Sequence, residues 1–230
     1  MKDVKKIFVV GGGFMGSGIA QTAITAGYKV TLNDLNDAIV EKAKAGIEKM
    51  LQKNVSKGRM TEEAMAAAMA RLMVTADLSA AADADLVIEA AVEKVEIKKS
   101  IFAKLSDICA EDAILASNTS SISIVELASA VKNPNRFIGM HFFSPVPLMR
   151  LLEIVRSIAT DDETVAAVKA MGGKLGKTCI VSKDKPAFIV NRMLDPMLNE
   201  AIAILEAGTG SIEDIDTGMK CGLNHSMGPL

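Results

Sequence analysis

Short apolar runs alternate along this chain with longer stretches in which apolar residues recur every three to four positions. Ile7-Phe-Val-Val10 is the first run and reads as a buried strand. Small residues from Ser17 to Ala26 follow as a helix, which Gly27 closes. Lys29 to Asp34 reads as the next strand, and a charged, amphipathic helical region then extends to about Leu51. Lys57-Gly58 breaks it, and Thr61 caps a further helix with Glu62 and Glu63 in its first turn. Residues 73–75, 84–89 and 113–117 read as strands, with a helix over 94–110 before the last of them. After a polar turn at 118–121 comes a short helix over 124–131. Strands at 137–141 and 151–156, a helix over 162–175 ended by Gly176, and a strand at 177–182 complete the pattern.

Strands alternating with helices predict an open α/β sheet, parallel at least in its first half. Pro186 marks a change. Beyond it only helical patterns recur, over 189–207 and 212–221. The expected organisation is therefore a sheet domain over 1–184 and the start of a helical domain over 185–230. The helical portion looks small for a core of its own.

Composition narrows the picture. Half of the 230 residues are hydrophobic, enough for a sizeable core. Aromatics are scarce, so the 14 methionines read as gap fillers in that core rather than as an adaptable binding surface. The net charge is −2 with no basic block, which argues against nucleic acid as a partner. No apolar stretch approaches membrane-spanning length. Cys109, Cys179 and Cys221 are widely separated and show no CxxC spacing, and no signal peptide is evident, so a reducing, cytoplasmic setting is expected. No cluster has metal-ligand spacing, and no Ser-His-Asp or G-x-S-x-G arrangement appears.

Gly11-Gly-Gly-Phe-Met-Gly16 carries the first chemistry. Gly11, Gly13 and Gly16 satisfy G-x-G-x-x-G, with Phe14 and Met15 between the last two. The three glycines would serve a tight turn, close approach of the backbone to a pyrophosphate, and close helix–strand packing. The helix N-terminus would offer N–H groups to the phosphates. Asp34 ends the next strand, 18 residues beyond Gly16, where a carboxylate binds a ribose 2′-OH and repels a 2′-phosphate. No Arg follows closely, so NAD is favoured over NADP. The alternative is a tight glycine turn with no ligand. In this context the fold is a Rossmann-type doubly wound sheet followed by a partial all-helical C-terminal domain.

The chain has two histidines. His141 ends a strand, two prolines force a turn, and the next strand carries Glu153. A carboxylate on one ring nitrogen fixes the tautomer, so the other can exchange a proton with an alcohol. The alternative is a core histidine and a solvated glutamate. Glu93 and Lys98 flank the end of the 84–89 strand, where such sheets bind ligands, or else they are a solvated helix start. Ser117-Asn118-Thr119-Ser120-Ser121 follows the next strand end and offers hydroxyls to a substrate, or a helix N-cap through Ser121 or Ser123. Asn191 would orient a carbonyl or tie helices together. His225 reads as a capping or surface residue.

Together these segments make the chain resemble the L-3-hydroxyacyl-CoA dehydrogenases, and within them the bacterial 3-hydroxybutyryl-CoA dehydrogenases. The resemblance is carried by GGGFMGSGIA (11–20), VTLND (30–34), VIEAAVEKVEIKKSIF (87–102), ASNTSSI (116–122), RFIGMHFFSPVPLMRLLEIVR (136–156), PAFIVNR (186–192), EDID (213–216) and the terminal MGPL. It implies an NAD-dependent oxidation of short-chain (S)-3-hydroxyacyl-CoA to 3-oxoacyl-CoA, or the reverse. It implies His141 as the catalytic base and Glu153 as its orienting carboxylate, with Ser120 and Asn191 beside the substrate oxygens. Asp34 is implied at the adenosine ribose, Glu93 and Lys98 beside the nicotinamide ribose, and Asn118 in the cofactor site. Lys53, Ser56 and Lys57 are implied at the CoA moiety, and a homodimer or higher homo-oligomer as the assembly where the helical domain is completed.

The chain departs from that pattern in four places. Ala187 stands where Gly is usual, Asp195 where an apolar residue is usual, and Ser226 where Pro is usual. The family pattern also continues through further helices after MGPL, so the helical domain is expected to be truncated. Two other readings remain at this point: a non-catalytic NAD-binding protein on the same scaffold, and a dehydrogenase of a free hydroxyacid.

Overall fold

The structure is a computed structural model and describes residues 3–230. The chain forms two compact units, Met1–Asp184 and Lys185–Leu230. The first holds β1 (Lys6–Val10), α1 (Phe14–Thr25), β2 (Lys29–Asn33), α2 (Asp37–Ser56), α3 (Glu62–Met69), β3 (Leu72–Thr75) and β4 (Leu86–Glu89). It continues with α4 (Val95–Ile108), β5 (Ile114–Ser117), α5 (Ile124–Ala128), β6 (Phe137–Phe142), β7 (Leu151–Arg156), α6 (Asp162–Lys174) and β8 (Thr178–Lys183). The second unit holds α7 (Val190–Glu206) and α8 (Ile212–Thr217).

The eight strands form one sheet in the order β3-β2-β1-β4-β5-β6-β7-β8. The first six are parallel, in the doubly wound order. β7 runs antiparallel to β6, and β8 runs parallel to β7. The reversal follows from the length of the connection. Only residues 143–150 separate β6 from β7, and a parallel neighbour needs a crossover of about a dozen residues or more. Lys177 braces this turn, its ammonium donating to the carbonyls of Val146 and, at 2.7 Å, Met149. Burial pushes that ammonium below its ordinary pKa.

Side chains alternate across the sheet, and each set meets different helices. Ile7, Val9, Leu32, Ile88, Ile138, Met140 and Ile154 join Ile19 and Ile24 of α1, Ile47 and Leu51 of α2, and Val168 and Met171 of α6 in one apolar cluster. The opposite face buries Phe8, Val87, Leu115, Phe137 and Val155. There Phe102 of α4 meets Phe137 edge to face, with ring centroids 4.7 Å apart.

Most elements fall within a residue or two of the expected bounds, but α2 runs on past Leu51 to Ser56 and α5 ends early, at Ala128. α1 starts earlier, at Phe14, which puts Gly16 in its first turn. β4 starts later, at Leu86, and the Asp85 carboxylate just before it accepts the N–H groups of Lys5 and Lys6, at 2.8 and 2.9 Å. In the second unit, α8 ends at Thr217 and a wider turn over Gly218–Gly222 replaces the rest of the expected helix. Asp195 is exposed, so its carboxylate stays in water. Ala187 adopts φ +61° and Phe188 φ +53°. Left-handed backbone costs a residue with a Cβ about 1–2 kcal/mol, which is the physical reason a glycine suits position 187.

Gly139 of β6 lies where that strand is packed most tightly. A Cβ there would sit 2.8 Å from both Ile124 Cδ1 of α5 and Val155 Cβ of β7. Gly139→Ala should destabilise the sheet unit by about 1–3 kcal/mol, read as a lower thermal midpoint.

Candidate active site

The glycine turn joins β1 to α1, and its three glycines answer three separate demands. Gly11 has φ +105°, and a Cβ there would fall 2.5 Å from the Ala90 carbonyl oxygen. A Cβ on Gly16 would come within 1.8 Å of the Gly11 carbonyl oxygen, so only glycine lets α1 sit so close to β1. Gly13 differs. It caps α1 at φ −70°, and no atom lies within 4 Å of where its Cβ would be. Its constraint is open space above the helix end, where a pyrophosphate would meet the first-turn N–H groups.

Asp34 follows β2 directly and is held by the same turn. Its Oδ2 accepts the Gly12 N–H at 2.6 Å and its Oδ1 accepts the Leu35 N–H at 2.6 Å. Asp34, Gly12, Gly13 and Phe14 line one wall of a cleft of about 910 Å³. Phe14 is exposed toward it, whereas Met15 packs against the core. The opposite walls come from α2, with Lys42, Gly46, Lys49 and Met50, and from Pro145, Val146 and Pro147 of the β6–β7 turn. Lys53, Ser56 and Lys57 sit at the exposed C-terminal end of α2 and are not among the lining residues. The lining positions 42, 46, 49 and 50 follow the i, i+4, i+7, i+8 spacing of one helix face, a signal that was present in the sequence.

His141 and Glu153 are directly opposed across the antiparallel β6–β7 ladder. His141 Nδ1 lies 3.0 Å from Glu153 Oε2, and both residues are buried. A carboxylate only accepts, so Nδ1 carries the hydrogen in this contact and Nε2 is left as the other ring nitrogen. The Phe143 ring packs 4.4 Å from the imidazole, centroid to centroid.

The turn after β5 lies beside this pair. Asn118 Oδ1 accepts the Phe142 N–H at 2.9 Å, tying the end of β5 to the end of β6. Ser120 is exposed on that turn. Glu93 holds it through the Thr119 hydroxyl, the Ser120 N–H at 3.1 Å and the Ser121 hydroxyl at 3.2 Å. Burial pushes the Glu93 carboxyl up. The Thr119 hydroxyl, the Lys98 ammonium at 3.2 Å and the Ser120 N–H outweigh it and hold the carboxyl below its usual range.

Lys98 is itself buried and bonds Glu89 Oε1 at 2.6 Å. Glu89 did not figure among the site residues expected from sequence, although its place at the end of a buried strand was a signal. Neither Ser121 nor Ser123 caps α5 through its own oxygen. Ser123 Oγ donates to Asp184 Oδ2, and Asp184 receives the Val125 N–H, each at 2.8 Å. Asn191 lies in the first turn of α7, in the second unit. The His225 N–H donates to the Met219 carbonyl at 3.3 Å, as a turn residue would.

The family model of the 3-hydroxyacyl-CoA dehydrogenase NAD-binding domain matches residues 6–185, and that of the 3-hydroxyacyl-CoA dehydrogenase C-terminal domain matches residues 188–230. A 3-hydroxybutyryl-CoA dehydrogenase of Bradyrhizobium diazoefficiens is 52% identical over 227 residues, covering 99% of this chain and 78% of that protein. The mitochondrial hydroxyacyl-coenzyme A dehydrogenase of Sus scrofa is 43% identical, covering 99% of this chain and 74% of its own length. The crystal structure of (S)-3-hydroxybutyryl-CoA dehydrogenase from Ralstonia eutropha matches at a TM-score of 0.97 and 44% identity, over 99% of this chain and 81% of that one. The chain belongs to the 3-hydroxyacyl-CoA dehydrogenase family.

Proposed function

We propose that the chain is an NAD-dependent dehydrogenase of short-chain (S)-3-hydroxyacyl-CoA, acting by a His141–Glu153 acid/base pair. One observation carries the mechanism: the buried 3.0 Å contact between these side chains, at the end of the sheet that also bears the glycine turn. The chain's residues fit the cofactor. Gly13 leaves room for a pyrophosphate, and Asp34, fixed by two N–H groups, is set to accept the hydroxyls of the adenosine ribose. When bound, NAD supplies the acceptor for the hydride from C3.

His141 takes the proton of the 3-hydroxyl at Nε2, while Glu153 holds Nδ1–H and stabilises the imidazolium that forms. In the reductive direction the same imidazolium protonates the developing alkoxide. Ser120 donates to the substrate oxygen, and the resemblance assigns Asn191 to the substrate carbonyl. Lys42 and Lys49, on the cleft wall, suit the phosphates of CoA better than the more distal Lys53, Ser56 and Lys57. A second copy of the chain is the proposed partner, supported by the apolar side chains of Met193, Ile202 and Met227 that the second unit exposes. The three free thiols support a reducing, cytoplasmic setting. Among the described residues, no helix is long and apolar enough to cross a membrane.

Gly13→Ala separates the cofactor site from the fold. Its backbone suits alanine and its Cβ meets nothing, so the thermal midpoint should hold. NADH binding, followed by fluorescence titration, should weaken by about tenfold or more, equivalent to ~1.4 kcal/mol. His141→Gln tests the chemistry. Turnover of acetoacetyl-CoA, followed by NADH absorbance, should fall by about 10²–10⁴ with NADH affinity kept. Turnover at the unmodified rate would remove His141 from the mechanism.

A further inference from the structure

Glu89 is the most completely buried acid in the sheet unit that the mechanism above leaves without a task. It is the last residue of β4, with 0% of its surface exposed, and it faces Ser117, its register partner on β5. Its two oxygens are fully engaged. Oε1 accepts the Ala91 N–H at 2.7 Å and the Lys98 ammonium at 2.6 Å, and Oε2 accepts the Ser117 hydroxyl at 2.7 Å. Lys98, 1% exposed, reaches from α4 and also bonds Glu93 Oε2 at 3.2 Å. One ammonium thus sits between a buried carboxylate and a carboxylate at the site. Beyond Glu93 the contacts run directly to Thr119, Ser120 and Ser121.

An ion pair sealed inside a sheet is a weak source of stability, since desolvation takes back most of what the attraction gives. Apolar side chains would fill the same space. What this pair does supply is direction. The three donors fix the Glu89 carboxylate from β5, from α4 and from the backbone just after β4. The carboxylate in turn fixes the position of the Lys98 ammonium to within one hydrogen bond. Lys98 then sets where Glu93 rests, and Glu93 is the acceptor around which the 119–121 turn is folded. The backbone of that turn is tied to β6 as well, through Asn118 and the Phe142 N–H, next to His141.

We propose that Glu89 is a positioning residue of the active site: through Lys98 it holds Glu93, and through Glu93 it sets the turn that carries Ser120 and is tied to β6 next to His141. The proposal rests on the dehydrogenase reading only for its kinetic arm. Its structural arm needs neither cofactor nor substrate.

The test compares two variants of the whole chain with the unmodified protein. Glu89→Gln keeps the shape and removes the charge. Glu89→Gln/Lys98→Met removes the buried ammonium too, so no unpaired charge is left in the interior; Glu93 loses its cation but is part exposed and keeps its donors from the 119–121 turn. Amide hydrogen exchange in the cofactor-free protein is the first readout. Exchange at Ser120, Ser121 and Ile122 should accelerate about tenfold or more in both variants, with exchange in β1 and α1 unchanged. In both, kcat with acetoacetyl-CoA should fall about tenfold or more, while KM for acetoacetyl-CoA changes less than threefold. The double variant should keep the unmodified thermal midpoint and still show the fast turn and the low kcat. If Glu89→Gln alone keeps turn protection and kcat, or the double variant restores them along with stability, Glu89 is a structural residue and the proposal fails. If Glu89→Gln shows the turn response but the unmodified chain never turns over acetoacetyl-CoA, the proposal stands and the dehydrogenase reading fails.

Discussion

Everything proposed for the site depends on the cross-strand register that sets His141 opposite Glu153. Side chains on a strand alternate between faces, so a slip of one residue in the β6–β7 ladder would carry Glu153 to the opposite face and leave the imidazole facing Leu152 or Ile154. The register is held at both ends of the ladder. At one end, Lys177 clasps the β6–β7 turn through two carbonyls. At the other, Gly139 pairs with Val155 with no room for even a methyl between that strand and α5. Two unrelated constraints, a charge buried against carbonyls and a packing limit, thus fix the same pairing.

The faces of the sheet divide labour in a way that follows from the alternation. The face toward α1, α2 and α6 is apolar to the strand ends. The face toward α4 and α5 is apolar in mid-sheet, through Phe8, Val87, Leu115 and Phe137, and turns polar at the ends of the strands, with Glu89, Ser117 and His141. Glu153 joins the same row from the antiparallel strand. Each buried carboxylate in the row has a nitrogen partner: Lys98 for Glu89 and the imidazole for Glu153. That is the condition under which polar groups are affordable in an interior at all.

Much of this was legible in the chain. The strand and helix sequence, the glycine fingerprint, Asp34 just after β2 and the opposition of His141 to Glu153 each rest on local signals: apolar runs, breaks at Gly27, Lys57-Gly58 and Gly176, and two strands joined by a short proline turn. What was not legible depends on tertiary placement. Helical spacing groups Lys42, Gly46, Lys49 and Met50, but only the approach of the β6–β7 turn makes that face a cleft wall, whereas Lys53, Ser56 and Lys57, implied at the CoA moiety by the resemblance, lie beyond it. Ser123 has the composition of an N-cap, yet Asp184 arrives from 61 residues away and takes the role. Glu89 read as the polar end of an apolar strand. Its significance lies in Lys98 of the following helix and Ser117 of the next strand, neither of which local pattern ties to it.

Ala187 shows the same boundary between local and tertiary causes from the other side. Glycine is the residue that the φ of +61° favours, and alanine bears about 1–2 kcal/mol of backbone strain there. A replacement by glycine would remove that strain and also loosen the unfolded chain, which costs about 0.4–1 kcal/mol in the opposite sense. The second term offsets about half of the first, so alanine at this position costs less stability than its dihedral angle suggests. The site depends instead on positions where no such cancellation operates: Gly16, where a methyl would meet a carbonyl oxygen, and the buried carboxylates, where loss of one partner leaves a charge with no water to turn to.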